Sequence, residues 1–216
     1  MNKRKKIIMC ILVVAVLAVV TIPFAFADAP KAIRKDVIKV NQTTTFVEEE
    51  TNKEYKNYYF LGDSRSVGMN SIDENKNHFY TAKIGEGYQY FSNNYKSVIE
   101  KSTENDAIII NFGVNDLHNA EKYIELINKI SSQTKSDVYF LTVNPVDEEK
   151  EANNGYKIKN SDIDNFNKKL KNGLSSSVKI IDSNSLLKRN GFNTIDGIHY
   201  TNDTYKNILN IATSAN

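Results

Sequence analysis

Cysteine is almost absent from this chain: of 216 residues only Cys10 is one, and it lies inside an apolar run near the N-terminus. A disulfide framework, a thiolate metal site and a cysteine nucleophile are therefore excluded for everything beyond that run. Histidine is scarce too, with only His78, His118 and His199, and no H-x-H spacing occurs. A metallophosphoesterase needs several histidine ligands close together and is disfavoured on that ground. Excess positive charge is missing as well. The net charge is +2, and four of the Lys and Arg residues sit in MNKRKK at the start, so the balance without residues 1–27 is −2. No basic footprint for nucleic acid remains. There is no internal repeat, no low-complexity tract and no long apolar insertion of the kind that forms a lipid-binding lid. Stability must come from an ordinary hydrophobic core, which a domain of roughly 160 residues can bury.

What is present begins with a composite N-terminal segment. MNKRKK is followed by IIMCILVVAVLAVVTIPFAF, and AFA closes at Ala27 ahead of Asp28. A basic flank, an apolar core and a small-x-small ending form the pattern of a cleaved signal peptide over residues 1–27. The run over 7–26 is also long enough to stay as an N-terminal membrane anchor. Both readings leave the basic flank in the cytoplasm and place the remainder outside, extracellular or at the cell surface. Membrane contact is expected only through 7–26, and only if that segment is retained. Residues 28–54 carry no sustained period and read as a polar tether, with a short strand near Thr44–Val47.

From 55 to 216 strand and helix patterns alternate. KNYYFLG, HFYTAKIG, NDAIIINFG, SDVYFLTVNP and SVKIIDS read as strands. EGYQYFSNNYKSVIEKS places Tyr88, Phe91, Tyr95, Val98 and Ile99 on one helical face, and LHNAEKYIELINKISSQ does the same with Tyr123, Ile124, Ile127 and Ile130. SDIDNFNKKLKNGL reads as a helix capped by Ser161 or Asp162 and stopped at Gly173, and TNDTYKNILNIATSAN as a closing helix capped near Thr201 or Asn202. DEEKEANNGYKIKN reads as a solvated loop. Solid apolar strands between helices predict an α/β domain with a parallel sheet. In such sheets ligands bind past the carboxyl ends of the strands.

Chemistry-bearing residues stand at those ends. Ser64 follows the first strand in YYFLGDSRSVGM and opens a helix. As an N-cap it would only accept a backbone N–H. As a nucleophile it would need a base, and the base an orienting group. His199 lies before the last helix in NTIDGIHYTND, and Asp196 three residues earlier can reach its Nδ1, leaving Nε2 for a serine proton. A surface-loop histidine is the plainer reading. Asn115 in NFGVNDLH offers an amide donor at a strand end, useful if buried beside a reaction centre. A turn asparagine is the alternative. Gly85 and Gly87 in KIGEGY allow close approach of a backbone N–H. Tyr88, Tyr90, Phe91 and Tyr200 flank this region, either as core or as stacking surfaces for sugar rings. His118 belongs to its rim or to solvent.

GDS at 62–64, a glycine after the second strand, GVND at 113–116 and DGIH at 196–199 resemble the GDS, Gly, GxND and DxxH blocks of the SGNH (GDSL-type) hydrolases. The resemblance covers roughly 56–214. It implies a three-layer α/β/α sandwich with a flavodoxin-like parallel sheet of about five strands, and no metal or cofactor. It further implies Ser64 as nucleophile, His199 as general base and acid, Asp196 as its orienter, and an oxyanion hole from the Ser64 N–H, the Gly85 N–H and the Asn115 amide. Gly87 stays open as an alternative donor, and Asp63 is assigned a bracing role beside Ser64. The first block departs from the namesake GDSLS by carrying Arg65, which marks a subgroup or lines the rim. The G-x-S-x-G elbow of α/β-hydrolases is absent. The expected activity is an exported serine esterase acting on short-chain acyl, notably O-acetyl, esters of cell-envelope or extracellular carbohydrate. An O-acyltransferase with the same triad and a non-catalytic envelope-binding module are the alternatives.

Overall fold

The computed structural model describes residues 53–214, Tyr156 excepted. The segment read as signal peptide or anchor and the strand expected near Thr44–Val47 lie outside the described residues. Among those that are described, no helix is long and apolar enough to cross a membrane.

Five strands, β1 (Asn57–Gly62), β2 (His78–Ala82), β3 (Asp106–Asn111), β4 (Asp137–Leu141) and β5 (Val178–Ile181), form one sheet in the order β2-β1-β3-β4-β5. All pairs are parallel, with Tyr58 opposite His78, Tyr59 opposite Ile108, Ile109 opposite Tyr139 and Phe140 opposite Ile180. Among the described residues seven helices accompany the sheet: α1 (Ser64–Asn70), α2 (Tyr88–Ile99), α3 (Ala120–Gln133), α4 (Glu148–Asn153), α5 (Asn160–Gly173), α6 (Ser183–Asn190) and α7 (Asn202–Ser214), with a 3-10 turn over Leu117–Asn119.

Strand side chains alternate between two cores, as the pleat demands. Leu61, Ile108, Ile110 and Phe140 pack with Phe91, Tyr123, Ile127, Ile163 and Phe166 under α2, α3 and α5. Phe60, Ile109, Tyr139 and Leu141 pack with Met69, Leu187, Tyr205 and Ile208 under α1, α6 and α7. β3 is buried along its whole length, which is why AIII is apolar without alternation. Each fully buried Ile or Phe contributes roughly 1.5–3 kcal/mol. The arrangement is the expected three-layer α/β/α sandwich, with the flavodoxin-like strand order that puts a topological switch between β1 and β3.

Two local readings are corrected, and one helix is not read from the sequence. The stretch expected to be a solvated loop contains α4. Asp147 caps it by accepting the Lys150 N–H, and Glu148, Glu149 and Glu151 occupy its first turn, where acids favour the helix dipole. Glu151 is buried, its Oε1 accepting the Ile158 N–H at 2.6 Å. Helix α5 starts one residue before Ser161, with Lys159 at the N-cap and no side-chain cap. Its start is set by tertiary contact, since the Asn160 side chain exchanges two hydrogen bonds with the Val146 backbone. Helix α6, capped by Asp182, occupies residues for which the apolar pattern predicts no element.

At the amino-terminal end of β4, Lys53, inside the span read as tether, already binds Asp137 at 2.8 Å. Tyr55 beside it is buried and hydrogen-bonds Asp137 and Tyr139.

Candidate active site

β1 ends at Gly62 and α1 begins at Ser64, so the chain passes from the sheet centre into a helix within two residues. The cap of that helix is not the serine. Asp63 is the N-cap, its Oδ1 accepting the Arg65 N–H at 2.9 Å. The Ser64 hydroxyl is thereby left for another partner. It meets one from the far end of the sequence, His199, whose Nε2 lies 2.9 Å from Ser64 Oγ.

The imidazole is held by the carboxylate three residues before it. Asp196 Oδ2 lies 2.6 Å from His199 Nδ1, while Oδ1 accepts the Ile198 and His199 N–H groups at 2.9 and 2.7 Å. Partial burial opposes ionisation of Asp196, but these hydrogen bonds outweigh it and hold the carboxyl below its ordinary range. A carboxylate at Nδ1 places the ring proton there, which leaves Nε2 to accept from the Ser64 hydroxyl. The imidazole and the carboxylate remain 33% and 30% exposed, so the pair is open to a substrate. Asp63 differs: burial pushes its carboxyl up to about 6, against the opposing pull of Arg65.

The loops after β2 and β3 flank Ser64, because β1 lies between those strands. They are stitched together. The Asn115 Nδ2 donates to the Glu86 carbonyl at 2.7 Å. Asp116 Oδ2 accepts the Tyr88 N–H at 2.8 Å, and Oδ1 accepts the Tyr123 hydroxyl at 2.7 Å. A Cβ on Gly87 would fall 2.6 Å from the Asp116 carboxylate, so glycine there lets that carboxylate cap α2. Gly85 is exposed and left-handed, with φ +75°. The burial that would favour Asn115 as a donor is not met: it is exposed, and one amide N–H is engaged by Glu86 while the second remains available. Asp116 and His118 do not converge. The carboxylate is occupied, and His118 is exposed along a groove of about 680 Å³ with Leu117, Phe166 and Lys169. Among the described residues no group of three His, Cys, Asp or Glu side chains is placed to hold a metal ion.

No family model matches this chain, and no curated protein matches it either. Solved structures do. A lipase/acylhydrolase from Enterococcus faecalis aligns with a TM-score of 0.58 at 17% identity, covering 73% of this chain and 93% of the other. A GDSL-like lipase from Bacteroides thetaiotaomicron gives 0.56 at 18% identity, over 77% and 89%. The fold is that of the SGNH hydrolases. The C-terminal catalytic domain of peptidoglycan O-acetyltransferase A from Streptococcus pneumoniae, solved with a methylsulfonyl adduct, gives 0.53 at 13% identity, over 74% and 89%. At these identities the likeness is one of fold.

Within this SGNH fold two parts of the site escape a motif-based reading. The first is Arg65. Its placement on the rim is corrected: it is 3% exposed, and its guanidinium reaches the carbonyls of Ile198 and Asn144. The second is α4, which braces the loop carrying Asp196 and His199. The Asp147 N–H donates to the Gly197 carbonyl, Lys150 Nζ to the Thr194 carbonyl and Asn154 Nδ2 to the Asp196 carbonyl, at 2.9, 3.0 and 3.0 Å. An Asp followed by acids and then a turn was the available signal for that helix. Of the two readings of the aromatics, core or stacking surface, the structure bears out core for Phe91 and Tyr200. Phe91 and Tyr200 are fully buried, and Tyr200 instead donates its hydroxyl to the Pro145 carbonyl at 2.6 Å. Tyr88 and Tyr90 are partly buried against the same core as Phe91.

Proposed function

We propose that this chain is a serine ester hydrolase of the SGNH family, with Ser64 as nucleophile, His199 as general base and acid, and Asp196 as the group that orients His199. The observation that supports this most directly is the continuous hydrogen-bond chain from Asp196 through His199 to Ser64. Ser64 Oγ attacks the ester carbonyl carbon as its proton passes to Nε2. The tetrahedral oxyanion is held by the Ser64 N–H, the Gly85 N–H and the free N–H of the Asn115 amide. As the first residue of α1, Ser64 has an N–H with no acceptor inside the helix. Collapse breaks the bond to the alkoxy oxygen, which leaves as alcohol with the proton from His199. Water then attacks the acyl-enzyme by the same sequence and releases the acid.

The proposed substrates are short-chain, above all O-acetyl, esters on cell-envelope or extracellular carbohydrate. The signal- or anchor-like pattern of residues 1–27 supports this, as does the absence of a lid-like insertion in the sequence. With Phe91 and Tyr200 inside the core, Tyr88 and Tyr90 are the aromatics left to meet a sugar ring. Transfer of the acyl group to a sugar hydroxyl instead of water is a second reading, favoured by the fold shared with the Streptococcus pneumoniae O-acetyltransferase domain.

The test compares hydrolysis of p-nitrophenyl acetate by the wild type and by Ser64→Ala, with a serine-directed phosphonate as active-site label. The reading requires turnover and labelling that both vanish in the variant. Equal turnover in the two proteins would end it. Retained glycan binding without any turnover would favour a binding module. Acetylated glycans, followed by release of acetate against appearance of a newly acetylated sugar, separate hydrolysis from transfer.

A further inference from the structure

We propose that Arg65 is a positioning residue that holds His199 in register with Ser64, an inference that rests on the proposed function. Arg65 follows Ser64 in the chain, yet its side chain reaches the loop of His199. Its Nε donates to the Ile198 carbonyl at 3.2 Å, and Nη1 to the Asn144 carbonyl at 2.8 Å. Nη2 extends to the Pro145 carbonyl at 3.5 Å. The guanidinium lies 5.0 Å from the centre of the Tyr200 ring, and the Tyr200 hydroxyl donates to the same Pro145 carbonyl at 2.6 Å. The two neighbours of His199, Ile198 and Tyr200, are thus both fastened to the turn after β4, one of them through a neighbour of Ser64.

A rim residue would not make this set of contacts. Three carbonyls from two chain segments converge on one planar, five-donor group, and only an arginine fork meets them together. A lysine carries one nitrogen on a flexible stem and would reach a single segment. Burying the guanidinium at 3% exposure is unfavourable unless its donors are satisfied and its charge is offset. The carbonyls provide the first. The buried Asp63, on the other side of Ser64, provides the second, through the charge interaction that lowers the Asp63 carboxyl against its burial. Ser64 is therefore bracketed by two buried charges. Asp63 fixes the start of α1, and Arg65 fixes the loop that delivers the imidazole. His199 itself is faced by Asp196 on its own loop and by the Asp63 charge from the β1–α1 corner, while Arg65 reaches the backbone beside it. A shift of about 1 Å between reacting groups can cost on the order of 10²-fold in rate, so such a tie has leverage without touching substrate.

The experiment uses the full chain carrying Arg65→Met or Arg65→Lys. With p-nitrophenyl acetate, kcat per phosphonate-titrated site should fall on the order of 10²-fold while KM stays nearly constant, the signature of an interaction acting on the reacting groups. Because Arg65→Met could also weaken folding, a second measurement reads the contact itself. The ¹⁵N chemical shift of His199 Nε2 should move on Ser64→Ala in the wild-type background and should not move in the Arg65→Met background, where the contact is already lost. Equal displacement in both backgrounds, or an undiminished kcat in the folded Arg65→Met protein, overturns the proposal. A wild type that cleaves no ester would instead sink the hydrolase reading, and the shift comparison would still decide the role of Arg65.

Discussion

Ser64 Oγ and His199 Nε2 are 2.9 Å apart although 135 residues separate them in the chain. The helix that Ser64 opens is capped by its neighbour Asp63, so the hydroxyl is not needed for the fold. Ser64→Ala should therefore abolish ester cleavage while costing no more than one ordinary hydrogen bond, roughly 0.5–1.5 kcal/mol. Asp63→Ala should lose more, both the cap contribution of about 1 kcal/mol and the charge that offsets the buried Arg65. Chemical denaturation of the two variants beside their kcat checks both halves. A Ser64→Ala protein as destabilised as Asp63→Ala would show that the serine has a structural duty after all.

Asn115 offers one amide N–H to Glu86 and has a second to give. As an oxyanion donor it should matter to kcat far more than to KM. Asn115→Ala is expected to lose on the order of 10²–10³ in kcat. Its exposed position keeps the expected stability change small. Steady-state kinetics with p-nitrophenyl acetate test this, and a change confined to KM would place Asn115 outside the oxyanion hole.

Gly197 has φ +98°, and a Cβ there would fall 2.3 Å from the Glu151 backbone nitrogen. Gly197→Ala should push α4 and the Asp196–His199 loop apart. Backbone strain alone should cost roughly 1–3 kcal/mol. Reduced kcat in the fraction that still folds is the expected companion, measured after thermal unfolding has fixed that fraction. A folded, fully active Gly197→Ala protein would mean that α4 does not hold the loop.

The Asp63 carboxyl is raised by burial from 3.8 to about 6. The folded state therefore binds this proton more tightly than the unfolded state does. The relative stability contributed by Asp63 is present in full below pH 4 and is lost as the pH rises through about 6. Asp196 acts in the opposite sense: its lowered carboxyl adds stability above the unfolded value and loses it as the pH falls through the folded one. Asp63→Asn keeps a capping oxygen and removes one titration. Its Tm relative to the wild type should rise between pH 4 and pH 7, by an amount corresponding to at most about 3 kcal/mol. A difference that stays flat with pH would show that Asp63 is not buried as an acid.

The three-layer architecture was legible because strand and helix signals are local. NDAIIINFG carries the short solid apolar run of a strand covered on both faces, and the stripe through Phe91, Tyr95 and Val98 has the spacing of an amphipathic helix. Ser64, Asp196, His199 and Asn115 were legible as candidates because chemistry restricts which residue types can do such work at strand ends. Tertiary structure decided everything that depends on burial and on segments distant in the sequence. It assigned the cap to Asp63 and not to Ser64, and turned an acidic stretch into the brace α4. It decided between core and surface for Phe91 and Tyr200, and carried Arg65 into the interior. The physical reason is that a residue's type fixes which hydrogen bonds and charges it can offer, whereas the depth and the partners that select among them are set only when distant segments meet across the sheet.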